Sequence, residues 1–461
     1  MWWKRHPLIA GAITLFLSGL FTRAVGTIYR IFLVRSAGEE VLGLFQMTLP
    51  LYRVALTLAT LGLPVAIARL AAEASGRGRD HEAARYQHVG LTLTLYSAVI
   101  VAIGLIISSD FLATTVLTDP RTRLPLLIIG LLLIPSSLAA SYRGALQGKE
   151  RMVPIAASSA VEAVVRSPVV LYFVALLMPF GAAWGASAIV LGLTVGELFS
   201  LFVLIWALRQ IQKSHPGRWS TDLSTAPWER KPPVRFHLFD HIRVSKRLLR
   251  LGLPVSASGL LNNLLSLASV AMIPRRLALA GFTMEEAVKA YGRLSGMALP
   301  LLYMPMVAIH PIIQVTLPSV SSRIATGGTA AVRPLIRKSF AVALGIGGLA
   351  SMLFAMFPTQ LSQILYGVSD LDPLVRPLAI AAPFAYIGHV ASGILYGLGR
   401  TRAVMTNSVI GNTVRLVLVW HLGAQPALGI YGVLIGSLAD YVVTAVLNLI
   451  TLFSILRRAS A

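Results

Sequence analysis

Five arginines fall inside long apolar runs of this sequence: Arg23, Arg30, Arg53, Arg166 and Arg415. Carrying an arginine to the centre of a bilayer costs about 2.5 to 3.5 kcal/mol on insertion scales. Such side chains are therefore expected to face an interior and not lipid. Arg23 and Arg30 are seven residues apart, two turns on nearly the same helix face. Arg53 stands near the start of the second apolar run and Arg293 at the start of the eighth. The guanidinium fork matches phosphate geometry in two parallel hydrogen bonds, so Arg23, Arg30, Arg53 and Arg293 are candidates for a cationic cavity that holds an anionic headgroup. The bland alternative is snorkelling of helix-end arginines toward the interface. Glu162 and Arg166 sit one turn apart in the order that favours an ion pair and can simply neutralise one another. Glu197, Asp440, His310 and His389 are the other titratable groups within apolar runs, candidates for ion pairing or for ion or proton coupling.

Motifs of enzyme chemistry are sparse. The chain has no cysteine, which excludes disulfides, thiol catalysis and Cys-ligated metals. The stretch Gly144-Ala-Leu-Gln-Gly148-Lys149-Glu150 lacks Walker A spacing and the Ser/Thr after its lysine. No HExxH or GxSxG is present. No metal or organic cofactor is expected, and energy would come from the membrane potential or an ion.

The elements that must position these residues follow from composition. Of 461 residues, 56% are hydrophobic and 13% charged, against about 25% charged in soluble proteins. Apolar segments long enough to span a bilayer, about 20 residues each, fall at residues 8–33, 42–70, 87–108, 124–146, 154–178, 183–208, 248–273, 294–320, 339–357, 374–397, 404–421 and 428–455. The expected fold is an all-α polytopic membrane protein of about twelve transmembrane helices. The first apolar run follows a basic start like that of a signal peptide, yet runs longer and shows no small-x-small cleavage site; it is expected to be a retained helix.

With the N-terminus inside, 27 of the 40 Lys and Arg fall on the cytoplasmic side, 8 outside and 5 within the spans. The positive-inside rule then places both termini in the cytoplasm, and the formal charge of +22 needs no nucleic acid partner. Residues 209–246, rich in Pro, Ser and charge, form a basic cytoplasmic linker between an N-terminal six-helix lobe, 1–208, and a C-terminal six-helix lobe, 247–461.

Internal similarity supports two lobes. Leu49-Pro50 and Leu63-Pro64 in the second segment correspond to Leu299-Pro300 and Leu317-Pro318 in the eighth, each later pair followed by an arginine five residues beyond its proline. Gly148, Lys149 and Arg151 after the fourth segment correspond to Gly399, Arg400 and Arg402 after the tenth. An even number of spans per unit points both lobes the same way, related by a pseudo-twofold along the membrane normal, with a substrate path between them. Prolines within spans, among them Pro50, Pro64, Pro168, Pro254, Pro300, Pro305, Pro311 and Pro383, introduce bends that a cavity-lining helix tolerates.

Thr22-Arg23-x-x-Gly26, GEEVLGLFQMTLP at 38–50, GLPVAIARLAAEASGRG at 62–78, YRGALQGKERMVPIAASSAVEAVVR at 142–166 and YGRLSGMALPLLYMPM at 291–306 resemble the stage V sporulation protein B and polysaccharide biosynthesis family. That family lies within the multidrug/oligosaccharidyl-lipid/polysaccharide exporter superfamily, near the lipid II flippases. The resemblance implies a V-shaped bundle that moves an undecaprenyl-pyrophosphate-linked saccharide from the cytoplasmic to the outer leaflet, for spore-cortex peptidoglycan among other glycans. It carries the central arginine roles of the flippases onto Arg23 and Arg293, with Arg53 in the same neighbourhood. Residues 251–273 contain no carboxylate, so the resemblance does not extend to sodium coupling through that helix. The implied partners are the polyprenyl-pyrophosphate-linked glycan, membrane lipids and cell-wall synthesis enzymes. Two other readings compete: a drug/cation antiporter, which predicts acids lining the cavity, and a non-transporting scaffold, which predicts that the linker matters and the arginines do not.

Overall fold

The computed structural model of the chain describes residues 7–214, 238–309 and 332–458. Most of the expected linker, the later Leu317-Pro318 pair and His310 lie outside the described residues. Among the described residues the secondary structure is helical throughout. The helices are α1 (Pro7–Thr60), α2 (Leu63–Gly76), α3 (Asp80–Ile107), α4 (Arg123–Gly148), α5 (Met152–Leu177) and α6 (Ala182–Ser214), then α7 (Leu238–Leu279), α8 (Met284–Tyr291), α9 (Leu299–Tyr303), α10 (Arg333–Met356), α11 (Pro358–Tyr366), α12 (Leu378–Gly397), α13 (Thr401–Leu422) and α14 (Ile430–Arg458).

Among the described residues ten stretches are long and apolar enough to cross a membrane. The first, Thr14–Gly76, contains two of the twelve expected spans. They are separated at Gly38, whose backbone (φ 75, ψ 173) interrupts the helical path of α1; a positive φ of this kind costs glycine nothing and a side chain a good deal. The eighth expected span begins in the π-helical segment Gly292–Ala298, continues through α9 and passes out of the described residues after Ile309. Among the described residues eleven of the twelve expected spans and the start of the eighth are helical, arranged as two lobes. Equivalent pairs do the packing in each: α3 on α4 and α10 on α12, α5 on α6 and α13 on α14, α4 on α6 and α12 on α14.

In a membrane the helices are joined by close packing and polar contacts, because lipid is as apolar as leucine. Gly144 and Gly148 show the first device. A β-carbon on Gly144 would lie 2.3 Å from the Pro64 carbonyl, and one on Gly148 2.7 Å from that of Ala68. The pair that failed as a phosphate loop is the surface on which α4 meets α2. Buried polar contacts supply the second device in the C-terminal lobe. Asn407 donates to Asn448 at 2.9 Å, and Asn448 donates to Ser392 at 2.9 Å, tying α13, α14 and α12 together.

Helix α7 belongs to both lobes. Val244 and Leu248 pack into a small core with Leu63, Ile67 and Tyr86, whereas Val270, Ile273 and Leu277 join the main core. Gly252 and Pro254 lie between these halves, and a β-carbon on Gly62 would stand 2.2 Å from the Gly252 carbonyl.

Candidate functional site

A cavity of about 530 Å³ lies between the lobes, lined by α1, α7, the segment from Tyr291 to Met304, α13 and α14. This volume is within the roughly 300 to 1,000 Å³ typical of small-molecule sites. Four arginines line it: Arg23, Arg30 and Arg53 from α1, and Arg415 from α13. Its other polar groups are hydroxyls and one amide, among them Gln46, Ser269, Tyr303 and Tyr441, and no carboxylate appears among its described lining residues. A site rich in guanidinium donors and lacking acids attracts an anion and repels a cation.

The arginines differ in how they are held. Arg30 donates to the carbonyl of Gly296 at 2.9 Å and more distantly to that of Ser295, which also accepts from Gln46 at 3.3 Å. These carbonyls are available because Gly292–Ala298 winds as a π-helix; single-turn π segments occur often at functional sites and displace the usual hydrogen-bond ladder. Arg415 lies 3.9 Å from Asp440, whose other oxygen accepts from Thr444 at 3.1 Å. Arg23 and Arg53 have no carboxylate partner among the described residues. The opposite wall is closed by an aromatic contact in which the hydroxyls of Tyr303 and Tyr441 meet at 2.5 Å.

Arg293 lies off this cavity, at the Gly38 end of the bundle. It pairs with Glu39 at 3.4 Å and with Asp370 at 2.6 Å, and donates to the Asp370 carbonyl at 2.8 Å. Glu39 belongs to the first lobe, whereas Asp370 sits between α11 and α12 of the second, so Arg293 bridges the two. The Arg293 hydrogen bond holds the Asp370 carboxyl below its usual range, against a smaller opposing effect of burial. The neighbouring acid Glu40 turns the other way and pairs with Arg121, which is itself bound to Asp119 at 2.7 Å within the first lobe. Arg35 adds a second crossing, donating to the Leu365 carbonyl at 3.0 Å and to that of Ile364. Backbone approach is equally close. A β-carbon on Gly292 would lie 2.0 Å from the Glu39 carbonyl, and one on Gly43 2.2 Å from that of Val288.

The remaining candidates are placed elsewhere. Glu162 accepts from Arg166 at 2.8 Å, and Arg143 reaches Glu197 at 3.1 Å, Ser200 at 2.9 Å and Glu162 at 3.5 Å. Two acids and two arginines thus compensate each other inside the first lobe, with Arg166 also 5.9 Å from the Tyr29 ring. The His389 ring nitrogen Nδ1 contacts the Ala385 carbonyl one turn back at 2.9 Å. The lining residue that sequence reasoning passed over is Arg415. Its signal was present: it is a span arginine with no acid three or four positions away, the pattern that Arg23, Arg30 and Arg53 share and Arg166 lacks.

Comparison with known proteins adds three findings. The sequence pattern of the polysaccharide biosynthesis protein family matches residues 8–324. Over 456 residues the chain is 28% identical to stage V sporulation protein B of Bacillus subtilis strain 168, covering 98% of this chain and 85% of that protein. It is 20% identical to sporulation protein YkvU of the same organism, covering 98% and 96%. Among solved structures, a multidrug resistance MATE family transporter of the MOP superfamily, in an inward-facing conformation, superimposes with a TM-score of 0.72 at 16% identity, covering 98% of this chain and all of that one. A MOP superfamily transporter from Pyrococcus furiosus, described as having a binding pocket of reverse polarity, superimposes with a TM-score of 0.63 at 16% identity over 98% and 96% of the two chains.

Proposed function

The chain belongs to the polysaccharide biosynthesis protein family, and on that premise we propose that it is a flippase for a polyprenyl-pyrophosphate-linked saccharide, such as lipid II or a related peptidoglycan precursor, in the bacterial cytoplasmic membrane. The observation that carries this reading is the lining of the central cavity: four arginines, three of them without a carboxylate partner among the described residues, and no acid among the described lining residues. A pyrophosphate head would take the place of the missing counter-charges. The glycan would fill the hydroxyl-rich remainder while the polyprenyl tail stays in lipid. The same lining weighs against the drug/cation antiporter, which needs acids where this cavity has arginines. The Bacillus subtilis sporulation relatives favour a cell-wall glycan as the cargo, and the transporter fold weighs against a transferase.

The excess of Lys and Arg, 27 against 8, supports a cytoplasmic N- and C-terminus. In that orientation the Arg293 bridge and the Arg35 contacts close the outer end. Residues 1–208 and 247–461 would act as the two rocking lobes, with 209–246 as a tether whose end at Val244, together with Leu248, packs on the first lobe. A potential of 100 mV, negative inside, contributes about 2.3 kcal/mol per elementary charge crossing it. Outward movement of the anionic head is favoured by that sign, so the potential can bias the cycle without a coupling ion.

The test is transbilayer movement of labelled lipid II in proteoliposomes. A charge-assisted hydrogen bond is worth about 1.5 to 3 kcal/mol, so Arg23→Ala and Arg53→Ala should each weaken precursor binding by about ten- to a hundredfold and slow its movement accordingly. Lipid II movement at the wild-type rate in the double variant would overturn the cavity assignment.

A further inference from the structure

A second cavity, of about 580 Å³, opens between the first turns of α3 and the first half of α7. Its charged lining is Arg85, Arg243, Lys246, Arg247 and Arg250, with Glu82 as the single acid. Glu82 is partly committed to Arg79 at 3.6 Å. Arg247 donates to the hydroxyl of the buried Tyr86 at 2.7 Å, its guanidinium 5.6 Å from the ring, which fixes one wall. Arg243, Lys246 and Arg250 are exposed and have no carboxylate partner among the described residues. On α7 the pairs Arg243 with Arg247, and Lys246 with Arg250, stand four residues apart, the spacing at which like charges destabilise a helix. Among the described residues Glu82 in the lining and Glu73 near Arg247 offset only part of that repulsion, and an anion in the cleft would offset more. Ile242, one turn before Lys246 on the same face and 57% exposed, offers an apolar contact beside the cations.

We propose that this cleft is a binding site for the phosphate-bearing headgroup of an anionic phospholipid. In the orientation proposed above it lies at the cytoplasmic headgroup level, where basic pockets between helices collect anionic lipid. The exposed isoleucine favours a lipid over free phosphate, since only a lipid brings an acyl chain to it. Because α3 belongs to the first lobe and α7 continues into the second, a bound headgroup would pin the first half of α7 against the first lobe.

The experiment uses the full chain in a neutral detergent, where binding does not depend on which way the bundle lies or on whether it flips lipid II. Bound lipid is read by native mass spectrometry and by thermal midpoint, with phosphatidylglycerol, phosphatidylcholine and pyrophosphate as the three probes. Phosphatidylglycerol should bind and raise the midpoint. The Arg243→Gln/Lys246→Gln/Arg250→Gln variant should bind it about tenfold more weakly or worse, and Arg243→Lys/Lys246→Arg/Arg250→Lys should bind as wild type. Lys246→Gln alone, a change at an exposed side chain, should show a partial loss and stands in if the triple variant does not fold. Arg333→Gln/Arg337→Gln/Lys338→Gln, at the start of α10, should leave binding unchanged. Equal binding of phosphatidylcholine, an equal shift with pyrophosphate alone, retention in the glutamine variants, or an equal loss in the α10 control would each overturn the assignment.

Discussion

At the scale of single residues the central question is what each buried cation is compensated by. Arg166 has Glu162 one turn away and is neutralised at home; Arg23 and Arg53 have nothing comparable. The difference predicts distinct phenotypes. Arg23→Ala should leave the thermal midpoint within about 1 °C of wild type, since no partner is orphaned, while reducing transport. Arg415→Ala leaves Asp440 without its cation at 3.9 Å and should lower both, because an uncompensated buried charge costs about 3 to 5 kcal/mol in the tightest cases; a stable, merely inactive Arg415→Ala would show that this pair carries no structural weight. Lys149, just after α4, is a cation whose burial pushes it down to about 8, with Asp80 opposing and Arg151 reinforcing the fall. The unfolded chain holds that proton up to about pH 10.4, so the unfolded state binds more protons between those values and stability rises with pH across the window. Lys149→Met should therefore stabilise the protein at pH 7 by on the order of 1 to 3 kcal/mol, with the advantage shrinking toward pH 10. Thermal denaturation at both pH values reads this directly.

At the scale of elements the segment Gly292–Ala298 matters most, because its π winding turns the carbonyls of Ser295 and Gly296 toward Arg30 and Gln46 while Arg293 points to the lobe junction. One short stretch therefore touches both the cavity and the closure. Gly292→Ala puts a β-carbon 2.0 Å from the Glu39 carbonyl and must force the junction apart. The expected result is a longer distance between spin labels on Glu40 and Asp372, with the fold retained; an unchanged distance would mean that the contact yields without opening. In the second lobe Asn448→Leu removes the link among α12, α13 and α14 and should cost about 0.6 to 2 kcal/mol. The helices themselves were legible in the sequence, since apolar length and the paired Leu-Pro motifs follow from local composition. The π segment was not, although Gly292 and Gly296 mark weak helix. Nor was the position of Arg293: its partners are Glu39, beside the Gly38 break of α1, and Asp370, in the loop before α12, hundreds and tens of residues away, where no spacing rule reaches.

At the scale of the whole molecule two lobes meet around an anion-seeking cavity and are fastened at one end by Arg293, Arg35 and two glycine contacts. The alternating access proposed above would require those contacts to break in every cycle. In that cycle they could be neither very strong nor absent. The bridge to Asp370 is half-exposed, which weakens it by solvent screening, and its carboxylate titrates below the usual range, so a fall from pH 8 to pH 5 should not loosen it. In acid the sign is fixed: the stabilisation is present above about pH 3.9, the unfolded value, and is lost as pH falls further. Because the natural chain has no cysteine, the cycle can be arrested without background. Glu39 and Asp370 both reach Arg293, so Glu39→Cys/Asp370→Cys should be joined by a short bifunctional thiol reagent. If the lobes rock, the bridged protein should stop moving lipid II while still binding it at the cavity arginines, and a cleavable reagent should restore movement on reduction. Continued movement with the bridge intact would mean that this end does not open during transport, and the path would then have to leave between helices of one lobe.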